Sequence, residues 1–93
     1  MDGGGSSTFV QVKVLFFAKA KELVNLSEAL VALPTSTSTN NILDALEKTF
    51  PEIKILQRSF VFALNEEYVV IDDQTLTLKE GDILAVIPPL SGG

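Results

Sequence analysis

Ile83-Leu84-Ala85-Val86-Ile87 is apolar at every position and leads directly into Pro88-Pro89-Leu90-Ser91-Gly92-Gly93. An unbroken apolar run of strand length predicts a central strand covered on both faces. The turn segment Lys79-Glu80-Gly81-Asp82 opens it. Pro88 closes it, because proline has no N–H with which to continue a ladder. The next most hydrophobic extended segment is Phe9 to Phe17. Its alternation sets Val10, Val12, Val14 and Phe16 on one face and Gln11, Lys13, Leu15 and Phe17 on the other. That second face starts polar and ends apolar, which a purely solvated face would not do. The last and first strands are therefore expected together at the centre of one mixed sheet.

Outward from these two strands the elements alternate. Ala18 to Asn25 is rich in helix formers and predicts a short helix with Leu23 and Val24 as its apolar contacts. Glu28 to Leu33 reads as a strand stopped at Pro34, and Thr35 to Asn41 as a turn and helix N-cap. Ile42, Leu43, Leu46 and Phe50 have helical spacing, and Pro51 ends that helix at Phe50. Phe60 to Leu64 and Tyr68 to Ile71 are strands joined through Asn65-Glu66-Glu67 as a hairpin. Asp72-Asp73-Gln74 is a turn and Thr75 to Leu78 a short extended piece. The order β-α-β-α-β-β-β, with the 42–50 helix across the sheet, predicts an α+β protein of β-grasp type. A plain α+β sandwich with another strand order is the alternative. Residues 1–8 are expected as a flexible tail, 9–87 as the domain and 88–93 as an extended tail.

Composition limits the chemistry. The 93 residues suit one domain and include no Cys, His or Trp. Such a chain buries roughly 60–65% of its unfolded surface, leaving little room for an enclosed active site. Without Cys there is no disulfide, thiolate nucleophile or side-chain persulfide. Without His the commonest general base and transition-metal ligand are missing, so no metal site and no catalytic side chain are expected. The apolar stretches, such as Val14 to Ala18, fall far short of the roughly 20 residues of a membrane helix. Met1 to Thr8 has no basic residue, unlike a secretory or transit peptide, so the cytosol is the expected compartment. The net charge of −5 is uneven. Residues 63–93 hold Glu66, Glu67, Asp72, Asp73, Glu80 and Asp82 against Lys79 alone. Phosphate backbones would repel that third, which argues against nucleic acid and suits a basic protein partner, unless the acids merely solvate turns.

The tail carries the remaining chemistry. Pro88 and Pro89 stiffen the exit from the sheet, and Gly92-Gly93 is thin enough to thread a narrow channel. A terminal carboxylate is a poor electrophile, since its charge repels nucleophiles and oxide is a poor leaving group. Adenylylation by ATP would remove both obstacles and let sulfur displace the adenylate, splitting one hard step into two easier ones. Two glycines at a chain end also fit a frayed terminus.

Three segments resemble one family. Val12 to Ala18 (VKVLFFA), with Ala20 and Glu22, is similar to the opening strand and helix of the small subunit of molybdopterin synthase. Asn65 to Val69 (NEEYV) resembles that family's hairpin, and Gly81 to Gly93 (GDILAVIPPLSGG) its C-terminal signature. The likeness spans roughly residues 9–93 and implies a ubiquitin-like β-grasp fold. It further implies that Gly93, behind the tail residues Leu90, Ser91 and Gly92, is adenylylated by a ubiquitin-activating-like adenylyltransferase and sulfurtransferase that uses ATP. Sulfur would then be carried as 1-thioglycine at Gly93, with no permanently bound cofactor. The implied partner is the large catalytic subunit of molybdopterin synthase, in a heterotetramer of two small and two large subunits. There the tail would pass sulfur to cyclic pyranopterin monophosphate, the small subunit itself being non-catalytic.

By the same resemblance Phe17, Tyr68 and Ile87 match the family's hydrophobic interface. Phe17 and Tyr68 fit a partner surface, while Ile87 fits either that surface or the chain's own core. Asp72-Asp73 and Glu66-Glu67 read as hairpin solvation, the 35–39 Ser/Thr run as capping, and Lys19 and Lys21 as a wet helix face. Other functions open to such a chain are sulfur transfer for thiamine, protein modification through Gly93 with or without tRNA thiolation, and a plain interaction domain with an inert tail.

Overall fold

A computed structural model describes residues 8–89. The expectations for residues 1–7 and for Leu90, Ser91, Gly92 and Gly93 lie outside the described residues. Strand β1 runs Phe9–Phe16 and is followed by helix α1, Ala18–Val24, and strand β2, Glu28–Pro34. A short strand β3, Ser36–Ser38, precedes helix α2, Thr39–Thr49, and a 3-10 helix, Pro51–Leu56. Strands β4 (Val61–Leu64), β5 (Glu67–Val69), β6 (Thr75–Thr77) and β7 (Ile83–Ile87) complete the chain.

The main sheet has the order β2-β1-β7-β4-β5. β1 and β7 are neighbours and parallel, from Lys13↔Ile83 to Phe16↔Val86, while β2, β4 and β5 join antiparallel. First and last strands thus lie side by side in the sheet interior, as their hydrophobicity requires. One face carries Val12, Val14, Phe16, Phe62, Leu84 and Val86, none more than 1% exposed. Ile42, Leu43 and Leu46 of α2 and Ile53 of the 3-10 helix close this core. Phe50 adds an edge-to-face contact to Phe16, with ring centroids 5.1 Å apart.

Local chemistry explains the boundaries. Ser38 caps α2, its Oγ accepting from Asn41 N at 3.2 Å. Thr39 Oγ1 accepts from Asp72 N at 2.7 Å and lies 2.9 and 3.0 Å from the carbonyls of Val70 and Asp72, tying α2 to the segment after β5. Gly81, at φ +87, sits third in the turn Lys79 to Asp82, closed by Asp82 N donating to Lys79 O at 3.1 Å. Arg58 Nη2 donates to Asp44 and Glu47 on α2 at 3.0 and 3.1 Å. The hydrogen bond to Glu47 is the main cause holding the Arg58 pKa above its ordinary value.

Three expectations need correction, and one element was not among them. The 35–41 segment is not only a turn and cap, because Ser36–Ser38 pairs antiparallel with Thr75–Thr77 in a two-stranded sheet. The residues after Pro51 form a 3-10 helix whose Ile53 is fully buried, and nothing in the sequence reading anticipated it. Ala20, at 0% exposure, is the buried anchor of α1, whereas Leu23 and Val24 are only half-buried. β7 is not covered on both faces: Leu84 and Val86 are buried, but Ile83 is 40% exposed. Apolar periodicity cannot separate a doubly covered strand from one whose second face is held for something else.

Candidate functional site

That second face is the site. Cross-strand register sets Glu28, Leu15, Ala85, Ala63 and Tyr68 in one row across the five strands of the main sheet. Side chains in such a row point to the same side, here away from α2. Leu15, Phe17, Ala63, Tyr68, Ile83, Ala85 and Ile87 line a shallow concavity of about 590 Å³, with Asn65 and Glu66 at its rim. The hollow has a simple origin. Ala63 and Ala85, opposite each other on β4 and β7, are too small to fill the space that the larger side chains enclose.

Each large side chain is held by local backbone geometry. Phe17 follows β1 in extended conformation, and its N–H donates to Val86 O at 3.3 Å, prolonging the β1–β7 pairing. Its carbonyl accepts from Ala20 N and Lys21 N, so it also starts α1. Ala18 at φ +52 turns the chain sharply there and leaves the Phe17 ring 45% exposed. Tyr68 stands one residue into β5, 77% exposed. The hairpin before it turns through Asn65 and Glu66, both at positive φ, the geometry of a two-residue type I′ turn.

Asn65 fixes that hairpin against β7. Its N–H donates to Ile83 O at 2.8 Å, its Oδ1 accepts from Ile83 N at 3.0 Å, and its Nδ2 donates to Asp82 Oδ1 at 3.1 Å. An asparagine thereby continues the β4–β7 ladder past its end, holding Tyr68 and Ile83 on the two sides of the hollow. Ile87, opposite Val61, is half-buried and ends the strand that runs into Pro88 and Pro89. A groove of Arg58, Ser59, Phe60, Val61, Ile87, Pro88 and Pro89 lies at this exit.

The structure thus brings Phe17, Tyr68 and Ile87 onto one surface, and resolves Ile87 as a residue shared between core edge and surface. Sequence reading missed Ala63, Ala85, Ile83, Val61 and Asn65. Alanine within an apolar strand carries no signal of its own; only the register shows that two of them meet. Among the described residues no group of three or more carboxylates is placed to hold a metal ion, and no helix is long and apolar enough to cross a membrane.

A mixed sheet with parallel first and last strands, one main helix across one face and an apolar hollow on the other, defines a ubiquitin-like β-grasp protein. Comparison with known proteins agrees: the ThiS family model matches residues 14–93. A molybdopterin synthase sulfur carrier subunit of Drosophila sechellia is 46% identical over 84 residues, 90% of this chain and 92% of that protein. A putative molybdopterin converting factor, subunit 1, from Pyrococcus furiosus superposes with TM-score 0.71 at 27% identity, over 87% of this chain and 99% of that one. A chain of the complex of subunits 1 and 2 of molybdopterin-converting factor from Helicobacter pylori shares the fold, with TM-score 0.63 at 23% identity, over 90% of this chain and 100% of that one. The chain belongs to the ThiS family and, within it, to the molybdopterin synthase sulfur carrier subunits.

Proposed function

We propose that this chain carries sulfur for molybdenum cofactor synthesis as the non-catalytic small subunit of a molybdopterin synthase. The observation that carries the proposal is the continuity of the apolar hollow with the strand that delivers the tail: Ile87 lines the hollow and Pro88 follows it. A partner seated on Phe17, Tyr68 and Ile87 meets the chain where Pro88 and Pro89 leave the sheet. This places the reacting carbonyl by docking, so the carrier needs no catalytic side chain of its own.

The chemistry at Gly93 follows from the weakness of a carboxylate as an electrophile. A carboxylate oxygen attacks the α-phosphorus of ATP and pyrophosphate leaves, giving an acyl-adenylate on a ubiquitin-activating-like enzyme. A persulfide sulfur delivered by a sulfurtransferase attacks the carbonyl and AMP leaves with the oxygen. A second thiol of that enzyme then cleaves the acyl disulfide, taking up the donor sulfur as a disulfide, so the chain ends in a thiocarboxylate. The thiocarboxylate sulfur then attacks a carbon of cyclic pyranopterin monophosphate inside the large subunit as a C–O bond of that carbon breaks. Water cleaves the resulting thioester, leaving sulfur on the pterin and Gly93 as a carboxylate. The dithiolene holds two sulfurs, so the carrier is discharged and recharged. The large subunit is the partner, in a heterotetramer with two small subunits, and the cytosol is the compartment of the cycle. The resemblance of Gly81 to Gly93 to the family's C-terminal signature supports this assignment of Gly93.

Intact mass of the protein purified from its own cells, together with its co-purifying partners, tests the reading. A species with one oxygen replaced by sulfur, absent when Gly93 is deleted, and a molybdopterin synthase large subunit in the same fraction are the expected results. Conjugates to lysines of other proteins would instead favour a protein modifier. Association with thiamine enzymes alone would sink the molybdenum assignment.

A further inference from the structure

β5 is an outer strand of the main sheet, and no strand lies beyond it among the described residues. The two-residue turn makes Leu64↔Glu67 and Phe62↔Val69 the hydrogen-bonded pairs of the β4–β5 ladder. The N–H and C=O of Tyr68 therefore point away from β4, toward the open edge. Tyr68 is 77% exposed and Val70, two residues on, is 76% exposed. Natural sheet edges are commonly blunted by a charge or a proline; β5 carries one charge, Glu67 at its start, and the residues after it, Tyr68 to Ile71, carry neither.

Beside this edge lies a second concavity of about 590 Å³, lined by Phe60, Val61, Tyr68, Val69, Val70 and Ile71. Tyr68 forms a wall of both hollows, so the two apolar surfaces are continuous. Charge brackets the strip: Glu66 and Glu67 precede it, Asp72 and Asp73 follow it, and no base occurs from Ser59 to Leu78. Among the described residues none of these four carboxylates is ion-paired, although Asp72 accepts from Gln74 N and Asp73 from Asn40 Nδ2.

We propose that β5 takes up an added strand from the protein partner, an extended segment of alternating apolar side chains with a lysine or arginine at each end. Its main chain bonds the outward N–H and C=O of Tyr68, its apolar side chains enter the second concavity, and its basic ends face the two acidic pairs. The added ladder is short, because the Val70 carbonyl is already approached by Thr39 Oγ1 at 2.9 Å. The inference rests on the docking reading above for the identity of the partner, and it enlarges the surface that partner covers.

Hydrogen exchange and titration of the full chain with a molybdopterin synthase large subunit test it. The Tyr68 amide is expected to exchange roughly 100-fold more slowly in the complex, as an open edge becomes a ladder. Val70→Lys, at an exposed position that leaves the fold intact, is expected to weaken binding about 10-fold, as loss of a buried apolar contact does. Glu67→Lys with Asp73→Lys is expected to weaken binding and flatten its salt dependence. If Phe17→Arg abolishes binding while Tyr68 exchange is unchanged and Val70→Lys binds like wild type, the added strand is refuted and docking on the first hollow stands. If neither Phe17→Arg nor Val70→Lys alters binding, both readings fall. Unchanged binding by the charge-reversed pair would refute a partner strand with basic ends and leave the acids as guards against edge-to-edge aggregation.

Discussion

Replacing Phe17 by Arg separates a docking residue from a core residue. Phe17 is 45% exposed, so slightly more than half of its surface is already covered by its own chain. Full burial of a Phe side chain stabilises by about 1.5–3 kcal/mol, so removal of this half-covered ring costs the isolated fold about 1 kcal/mol. For a domain of this size that lowers Tm by about 4–8 °C. A partner that covers the remainder buries about 90 Å² more, taking roughly 200 Å² for a whole ring. At about 25 cal/mol/Å² this is about 2 kcal/mol of binding, before the penalty of placing a guanidinium against an apolar wall. Affinity should therefore fall at least about 30-fold, since each 1.4 kcal/mol is tenfold. Calorimetric titration against a molybdopterin synthase large subunit measures the first quantity, and thermal denaturation of the isolated variant the second. Binding within threefold of wild type would refute docking through this face. A stability loss above about 3 kcal/mol would show that Phe17 belongs to the core.

Four further substitutions, at three positions, test the geometry that positions the site, each read by chemical or thermal denaturation. Gly81→Ala meets no atom within 4 Å of the added Cβ, so its expected loss of about 1 kcal/mol comes only from the positive φ of +87; an unchanged midpoint would mean that the turn relaxes. Thr39→Val removes a hydroxyl that is bonded to Asp72 N and is 1% exposed, leaving buried polar groups unpaired, and is expected to cost about 2 kcal/mol. Thr39→Ser, which keeps the hydroxyl, should recover most of that loss. Glu66→Gly relieves a left-handed residue at φ +72 and is expected to stabilise by about 0.5 kcal/mol, the strain relieved being partly offset by glycine's freedom in the unfolded chain. Destabilisation by Glu66→Gly would instead assign the glutamate a contact in the free fold.

Much of the fold is legible in the residues. Alternation in Phe9–Phe16 selects Val12, Val14 and Phe16 as the buried face, because strand side chains alternate whatever the partner strand is. Ile42, Leu43 and Leu46 are legible for the same reason at helical period, and Pro51 marks the end of α2 because it disfavours helical geometry at Phe50. The 3-10 helix was hidden because only Ile53, fully buried, and Leu56, partly buried, reach the core, too few positions to make a period. The β3–β6 pair was hidden because Ser36-Thr37-Ser38 and Thr75-Leu76-Thr77 are as good for turns as for a short ladder, and only their meeting decides. Of the apolar hollow, Phe17, Tyr68 and Ile87 are legible through the resemblance to the family, and Phe17 and Leu15 also through the break in alternation.

Residue pattern alone carries the type of most elements, the two hydrophobic strands of the sheet interior, and the absence of any thiol or imidazole, but not β3 or the 3-10 helix. These depend on local period and on composition, which a linear chain displays in full. Only the tertiary structure decided that Ala63 lies opposite Ala85, that Asn65 clasps Ile83, and that Tyr68 walls two hollows while its main chain faces an open edge. These are relations between residues far apart in the chain. Register creates them, and no local pattern encodes register.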